Sequence, residues 1–252
     1  MLALALSSEL FLETVNYQIS KFIFLATIFT YNFQRVVRVK RGSNHARKQW
    51  LVEKKRVIYS LMLSCGIMSG YYFFQFQVST QIAIVFSGVL SLLYPLGLRQ
   101  VPFSKIFVIS LTWTISTMLL LVFENNIPIT QNIVLHLISR FLFVFAITIP
   151  FDIRDLKYDA QNLETIPLFF GVQKSKVIGV SALLICILIA IFQSIENTLT
   201  SSNLLALLLL LFLASIFIRK SDENKGEMYF SFWIESLCIL VYFFLIIAGL
   251  IF

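Results

Sequence analysis

At 252 residues, with 58% hydrophobic and only 13% charged residues, the chain is too apolar for a soluble fold, which could not hide so much hydrocarbon. Its net charge of +7 calls for no nucleic-acid partner, because basic loops beside anionic headgroups account for it. The three cysteines lie singly inside apolar runs and the two histidines are scattered, which excludes a zinc or haem site built from them.

Apolar runs between polar breaks predict nine helices, near residues 1–14, 18–38, 56–75, 80–98, 104–123, 131–150, 174–193, 202–218 and 229–251. The first is short for a membrane span and reads as a shortened helix, or as one whose start lies upstream. No basic n-region with a small-residue cleavage site marks a signal peptide. The expected architecture is a single all-α, polytopic membrane domain over 1–252. Basic residues support this division. Of the 20 Lys and Arg, nine fall between the second and third segments, and 18 lie in alternate loops. Such asymmetry is the positive-inside pattern, so the loops after the second, fourth, sixth and eighth segments are expected to be cytoplasmic.

After the sixth segment the chain reads "DIRDLKYDAQNLETIPLFFG", with Asp152, Asp155 and Asp159 at i, i+3 and i+7. On a helix that spacing sets all three carboxylates on one stripe, where like charges repel. A divalent cation turns the repulsion into a site, since Mg2+ takes hard oxygen ligands and shares them with phosphates. The competing reading is a solvated loop whose acids are neutralised by Arg154, Lys157 and Lys174.

This stretch resembles the second aspartate-rich motif of the UbiA superfamily of intramembrane prenyltransferases. Asp152, Asp155 and Asp159 match the acidic positions, while Thr165, Pro167 and Gly171 match the downstream frame. The nine predicted helices, with the motif after the sixth, are similar to that family over nearly the whole chain. The resemblance implies a bundle around a central cavity, Mg2+ on the three aspartates, and transfer of a prenyl group from a prenyl diphosphate. The acceptor it implies is lipophilic, aromatic or a quinone precursor, drawn from the membrane lipid phase. It also implies an integral protein of a bacterial inner membrane. The CDP-alcohol phosphotransferases, another intramembrane family with acidic motifs, need Asp-Gly and Ala-Arg, which are absent after Asp155.

The resemblance breaks at the family's first acidic motif, at the end of the second segment. There the chain reads "TYNFQRVVRVKRG": Asn32 matches, but the acidic positions fall on Phe33, Val36 and Lys40. Two readings follow. In one, Arg35, Arg38 and Lys40 take over part of the neutralisation, and Asn32, Arg35 and Arg99 hold the diphosphate. Arg99 is preferred to Lys105 as the basic group after Tyr94. In the other, the chain is a catalytically inactive member that binds polyprenyl lipid or scaffolds membrane partners.

Two charges fall inside apolar segments, Arg140 and Glu235, each roughly two to three turns from the cytoplasmic edge. Buried membrane charges are usually paired or functional, which predicts an Arg140–Glu235 ion pair. Glu9 and Glu13 are the other candidate partners. Alternatively, Arg140 faces the cavity and orients an anionic or quinone-like acceptor.

Overall fold

A computed structural model describes residues 1–40, 53–98, 101–156 and 164–251. The described residues are helical throughout, with no strand. In chain order the helices are α1 (Leu2–Phe11), α2 (Tyr17–Lys40), α3 (Lys55–Phe73) and α4 (Val78–Leu93). They continue with α5 (Ser104–Glu124), α6 (Gln131–Arg154), α7 (Ile166–Phe170), α8 (Val172–Ile195), α9 (Ser201–Lys220) and α10 (Tyr229–Ile251). Helices occupy all nine predicted segments. Six of them, α4 extended to Leu96, α5, α6, α8, α9 and α10, are long and apolar enough to cross a membrane, and α1 is a shorter apolar helix. The helix not anticipated is α7, a single turn started by Pro167 in its first turn.

The core runs along α6. Val144, Ile149 and Ile153 pack with Leu183 and Cys186 of α8, Leu210 and Ile218 of α9, and Phe230 and Ile234 of α10. A second cluster joins α1, α2, α4 and α5 through Ala5, Ile19, Ile23, Ala83 and Leu121. A third belongs to α2 and α3: Ile58 and Met62 pack against Phe29, Phe33, Val36 and Val39.

Polar residues inside the spans are absorbed locally. In α5 the hydroxyls of Ser110, Thr112, Thr114 and Thr117 each donate to the carbonyl four residues earlier. Such back-bonding bends helices, and it leads into a π-helical turn at Ile115–Leu119. A second π turn opens α10 at Tyr229–Ile234.

The sequence reading ends the sixth helix at Pro150, yet α6 runs through it to Arg154. Proline removes one backbone donor, a loss that spanning helices tolerate when neighbours pack closely. The closeness comes from Gly179 of α8: a Cβ there would meet Ile149 Cδ1 at 3.1 Å, Ile218 Cγ2 at 3.4 Å and the Ala146 carbonyl at 3.6 Å. Ala146 is four residues before Pro150, so it is the carbonyl whose helical donor is missing. The extra turn beyond Pro150 carries Asp152.

Candidate functional site

The site grows from that last turn of α6. Asp152 is 1% exposed and Asp155 caps the helix C-terminus, so the i, i+3 spacing sets both carboxylates on one turn. Two carboxylates this close and this withdrawn from water need a cation. It comes from α5: Lys105 Nζ lies 2.8 Å from Asp152 Oδ1 and 3.5 Å from Asp155 Oδ2. Arg154 adds a second, donating from Nε to Asp155 Oδ1 at 2.7 Å and from Nη2 to Oδ2 at 3.3 Å. Its guanidinium sits over the rings of Phe151, at 5.3 Å, and Phe230 of α10, at 5.7 Å. Burial alone would raise the Asp155 carboxyl. The hydrogen bond and charge of Arg154 and the charge of Lys105 outweigh it and hold the group below its ordinary value of 3.8.

Loop contacts fix the approach of α5. Phe103, at a left-handed φ of 59°, donates its backbone N–H to the Glu164 carbonyl at 2.9 Å, and its ring packs on Phe169 and Phe170 of α7. The segment before Lys105 is thereby tied to the segment after Asp155. Thr165 is buried and its hydroxyl lacks a hydrogen-bond partner among the described residues. Gly171 has φ +80° and ψ 160°, a conformation open only to glycine, and it separates α7 from α8.

The α2 side of the site is basic and aromatic. Arg35 lies over the ring of Tyr31 at 4.1 Å. Arg154 feels the Tyr31 hydroxyl and Glu227, and Glu235 feels both Arg154 and Arg35. The end of α2, the end of α6 and the start of α10 therefore share one electrostatic neighbourhood. Among the described residues, no ion pair joins Arg35 to Asp152 or Asp155. Asn32 donates its amide to the Ile28 carbonyl of its own helix at 2.8 Å. Phe33 and Val36 face α3, packed on Ile58 and Met62.

Of the sequence-derived candidates, the structure brings Asp152 and Asp155 together. Asp159 and Arg99 lie outside the described residues. No three acidic, histidine or cysteine side chains converge among the described residues. The two aspartates nevertheless fit a divalent cation in their chemistry, because they already share one cation, the Lys105 ammonium, between oxygens of both. Lys105, the alternative to Arg99 as the basic group after Tyr94, reaches both aspartates, and no spacing rule links it to Asp152, 47 residues on.

The Arg140–Glu235 pair is a correction. Arg140 is buried, and its Nη2 donates to Ser7 Oγ and Ser8 Oγ of α1, both at 2.9 Å. Among the described residues it forms no ion pair. With α6 extended to Arg154, Arg140 lies fourteen residues from the helix end, about 21 Å, while Glu235 is six residues into α10, about 9 Å. Of the two other proposed partners, Glu9 and Glu13, Glu9 instead accepts from Ser20 Oγ at 2.8 Å and from the Asn16 N–H. Arg140 also borders a cavity of about 40 Å³ with His136, Ser139 and Gln193.

A family model described as the UbiA prenyltransferase family matches residues 38–237. No curated protein matches the chain. Among solved structures, an apo UbiA homolog from Aeropyrum pernix K1 is similar with a TM-score of 0.68 and 11% identity, over 99% of this chain and 94% of that one. A UbiA homolog from Archaeoglobus fulgidus bound to GPP and Mg2+ gives 0.69 and 12%, over 98% and 95%. The same homolog bound to DMAPP and Mg2+ gives 0.70 and 12%, over 99% and 93%. At such identities the likeness is one of fold.

Proposed function

The chain belongs to the UbiA prenyltransferase family, and from that premise we propose that it is an intramembrane transferase moving a prenyl group from a prenyl diphosphate to a lipophilic acceptor. The observation that carries this reading is the buried Asp152–Asp155 pair at the end of α6, gathered around one cation. Mg2+ would be held by Asp152 and Asp155, with Asp159 as the third acid, and when bound would neutralise the departing diphosphate. The A. fulgidus homolog binds prenyl diphosphates with Mg2+, which supports this assignment.

The chain's own residues divide the remaining work. Arg154 holds Asp155 in place through two hydrogen bonds and itself lies over two adjacent phenylalanine rings. Arg35, set over the Tyr31 ring, would offer its guanidinium to phosphate oxygens. Arg99 would add a further basic contact, and Asn32 retains one amide hydrogen after bonding Ile28. The apolar walls of the bundle take the isoprenoid tail and keep water from the allylic carbon as its bond to oxygen breaks. By the positive-inside pattern the site-bearing end faces the cytoplasm. An aromatic or quinone-precursor acceptor fits an entry from the lipid phase.

One observation favours a second reading, a binder without transferase activity. Phe33 and Val36 stand where the family carries acids, and they are part of the α2–α3 core. Turnover decides between the two. Purified protein in nanodiscs is given radiolabelled geranyl diphosphate, Mg2+ and a panel of phenolic and quinone-precursor acceptors. Prenylated product made by wild type and not by Asp152→Asn supports the transferase. Mg2+-dependent binding without product from any acceptor supports the binder.

A further inference from the structure

We propose that the cavity beside Arg140 is a second, intramembrane binding site that takes one carboxylate, the head of a lipid-phase acid. Arg140 is 7% exposed and is the tenth residue of α6, a membrane-spanning helix. A guanidinium keeps its charge there, and a charge surrounded by hydrocarbon calls for an opposite one. Among the described residues none supplies it. Ser7 and Ser8 accept from Arg140 Nη2, at 2.9 Å each, but their hydroxyls donate onward to the Leu4 carbonyl. They give hydrogen bonds and no negative charge. Glu9, on the same helix as these serines, is engaged by Ser20 and Asn16. The Nε and Nη1 donors of Arg140 reach no described residue.

The cavity holds about 40 Å³. At roughly 10–15 Å³ for each water-sized occupant, that is room for a group the size of a carboxylate. Its polar wall is one stripe of α6, with His136, Ser139 and Arg140 at i, i+3 and i+4. The His136 ring packs on Phe11 with centroids 5.0 Å apart, while its nitrogens and the Ser139 hydroxyl bond no described residue. An imidazole N–H, a hydroxyl and a guanidinium can therefore converge on a single anion. Two other polar neighbours are already committed: the Gln193 amide nitrogen to Asn132, and the Cys186 thiol to the Ser139 carbonyl. The remaining wall is hydrocarbon, including Phe143, Leu207 and Val241. That lining suits the apolar body of an amphiphile better than the water shell of a free ion. Asp152 lies twelve residues further along α6, about 18 Å. An occupant at Arg140 is thus apart from anything held at the aspartates, and the proposal does not depend on prenyl transfer.

The test is thermal melting of the purified chain in phosphatidylcholine nanodiscs, titrated with lauric acid, with dodecanol as the uncharged control, and with sodium formate at constant ionic strength. Lauric acid should raise the melting temperature saturably, and dodecanol should not. Ser139→Val removes one donor and fills part of the cavity while leaving the Arg140 bonds to Ser7 and Ser8 in place. It should weaken apparent lauric acid affinity roughly ten-fold, the scale of one charge-assisted bond. Arg140→Gln should abolish the shift; if that variant fails to fold, Ser139→Val still decides. A saturable shift from formate, also weakened by Ser139→Val, would support the carboxylate site with a free anion as its source. No shift from either carboxylate would overturn the proposal and leave the cavity to water. Equal shifts from lauric acid and dodecanol, or a shift unchanged in Ser139→Val, would overturn it too.

Discussion

The ends of α2 and α6 face the same neighbourhood and have taken opposite chemistries. The end of α6 buries two carboxylates and draws cations to them from α5 and from its own last turn. The corresponding end of α2 buries phenylalanine and valine against α3 and turns a guanidinium over a tyrosine ring. In the UbiA resemblance both ends are acidic. The difference is that the end of α2 offers packing and positive charge where the end of α6 keeps buried acids.

That asymmetry can be broken most severely at Asp152. Asp152→Asn should lower prenyl transfer by on the order of a thousand-fold, because it removes the less exposed carboxylate of the pair and leaves Lys105 facing a neutral amide. Asp155→Asn should cost less, roughly a hundred-fold, since Asp155 is more exposed and already shared with Arg154. Steady-state assays of the two variants side by side check the order, and a larger loss at Asp155 would reverse the roles assigned here.

The α2 side is tested by restoring acids. Phe33→Asp and Val36→Asp should each destabilise the protein by about 2 kcal/mol, since each places a carboxylate in the Ile58–Met62 cluster. Neither should add a Mn2+ site. Thermal melting with a metal count reads both outcomes, and a gained metal ion would show that α2 still faces the aspartates at those positions. Next in size, Gly171→Ala should cost about 1–3 kcal/mol through backbone strain alone, because a Cβ there meets open space while φ stays at +80°. Unchanged melting would mean that the link between α7 and α8 relaxes freely.

The smallest effect is acid sensitivity. The folded Asp155 carboxyl lies below its ordinary 3.8, so its contribution to stability is complete above that value and is lost as pH falls through the lowered folded value. Metal-free protein should therefore be insensitive to this group above about pH 4 and lose stability below it. Asp155→Asn should flatten that part of the profile. A loss centred near neutral pH in wild type, removed by Asp155→Asn, would contradict the sign.

Much of the bundle was legible in the sequence because apolar run length reports bilayer thickness directly. The predicted segments are helical, though among the described residues six rather than nine are long and apolar enough to span, and the i, i+3 spacing of Asp152 and Asp155 does place both on one turn. Local rules failed where tertiary packing decides. Pro150 read as a helix end, yet the close approach of Gly179 lets α6 continue and carries Asp152 into the core. Arg140 bonds Ser7 and Ser8, which carry no charge to signal a partner. Lys105 finds Asp152 across 47 residues, a distance no periodicity spans. The packing of Phe33 and Val36 on α3 was equally invisible from their motif positions, where only the missing acids could be read.

The proposed function turns on the α6 carboxylates anchoring a metal-dependent prenyl diphosphate site. Calorimetric titration of geranyl diphosphate into wild type and Asp152→Asn, each with Mg2+ and with chelator, tests it most directly. The account predicts binding by wild type in Mg2+ only, and none by Asp152→Asn in either condition. Equal affinity in all four titrations would contradict it.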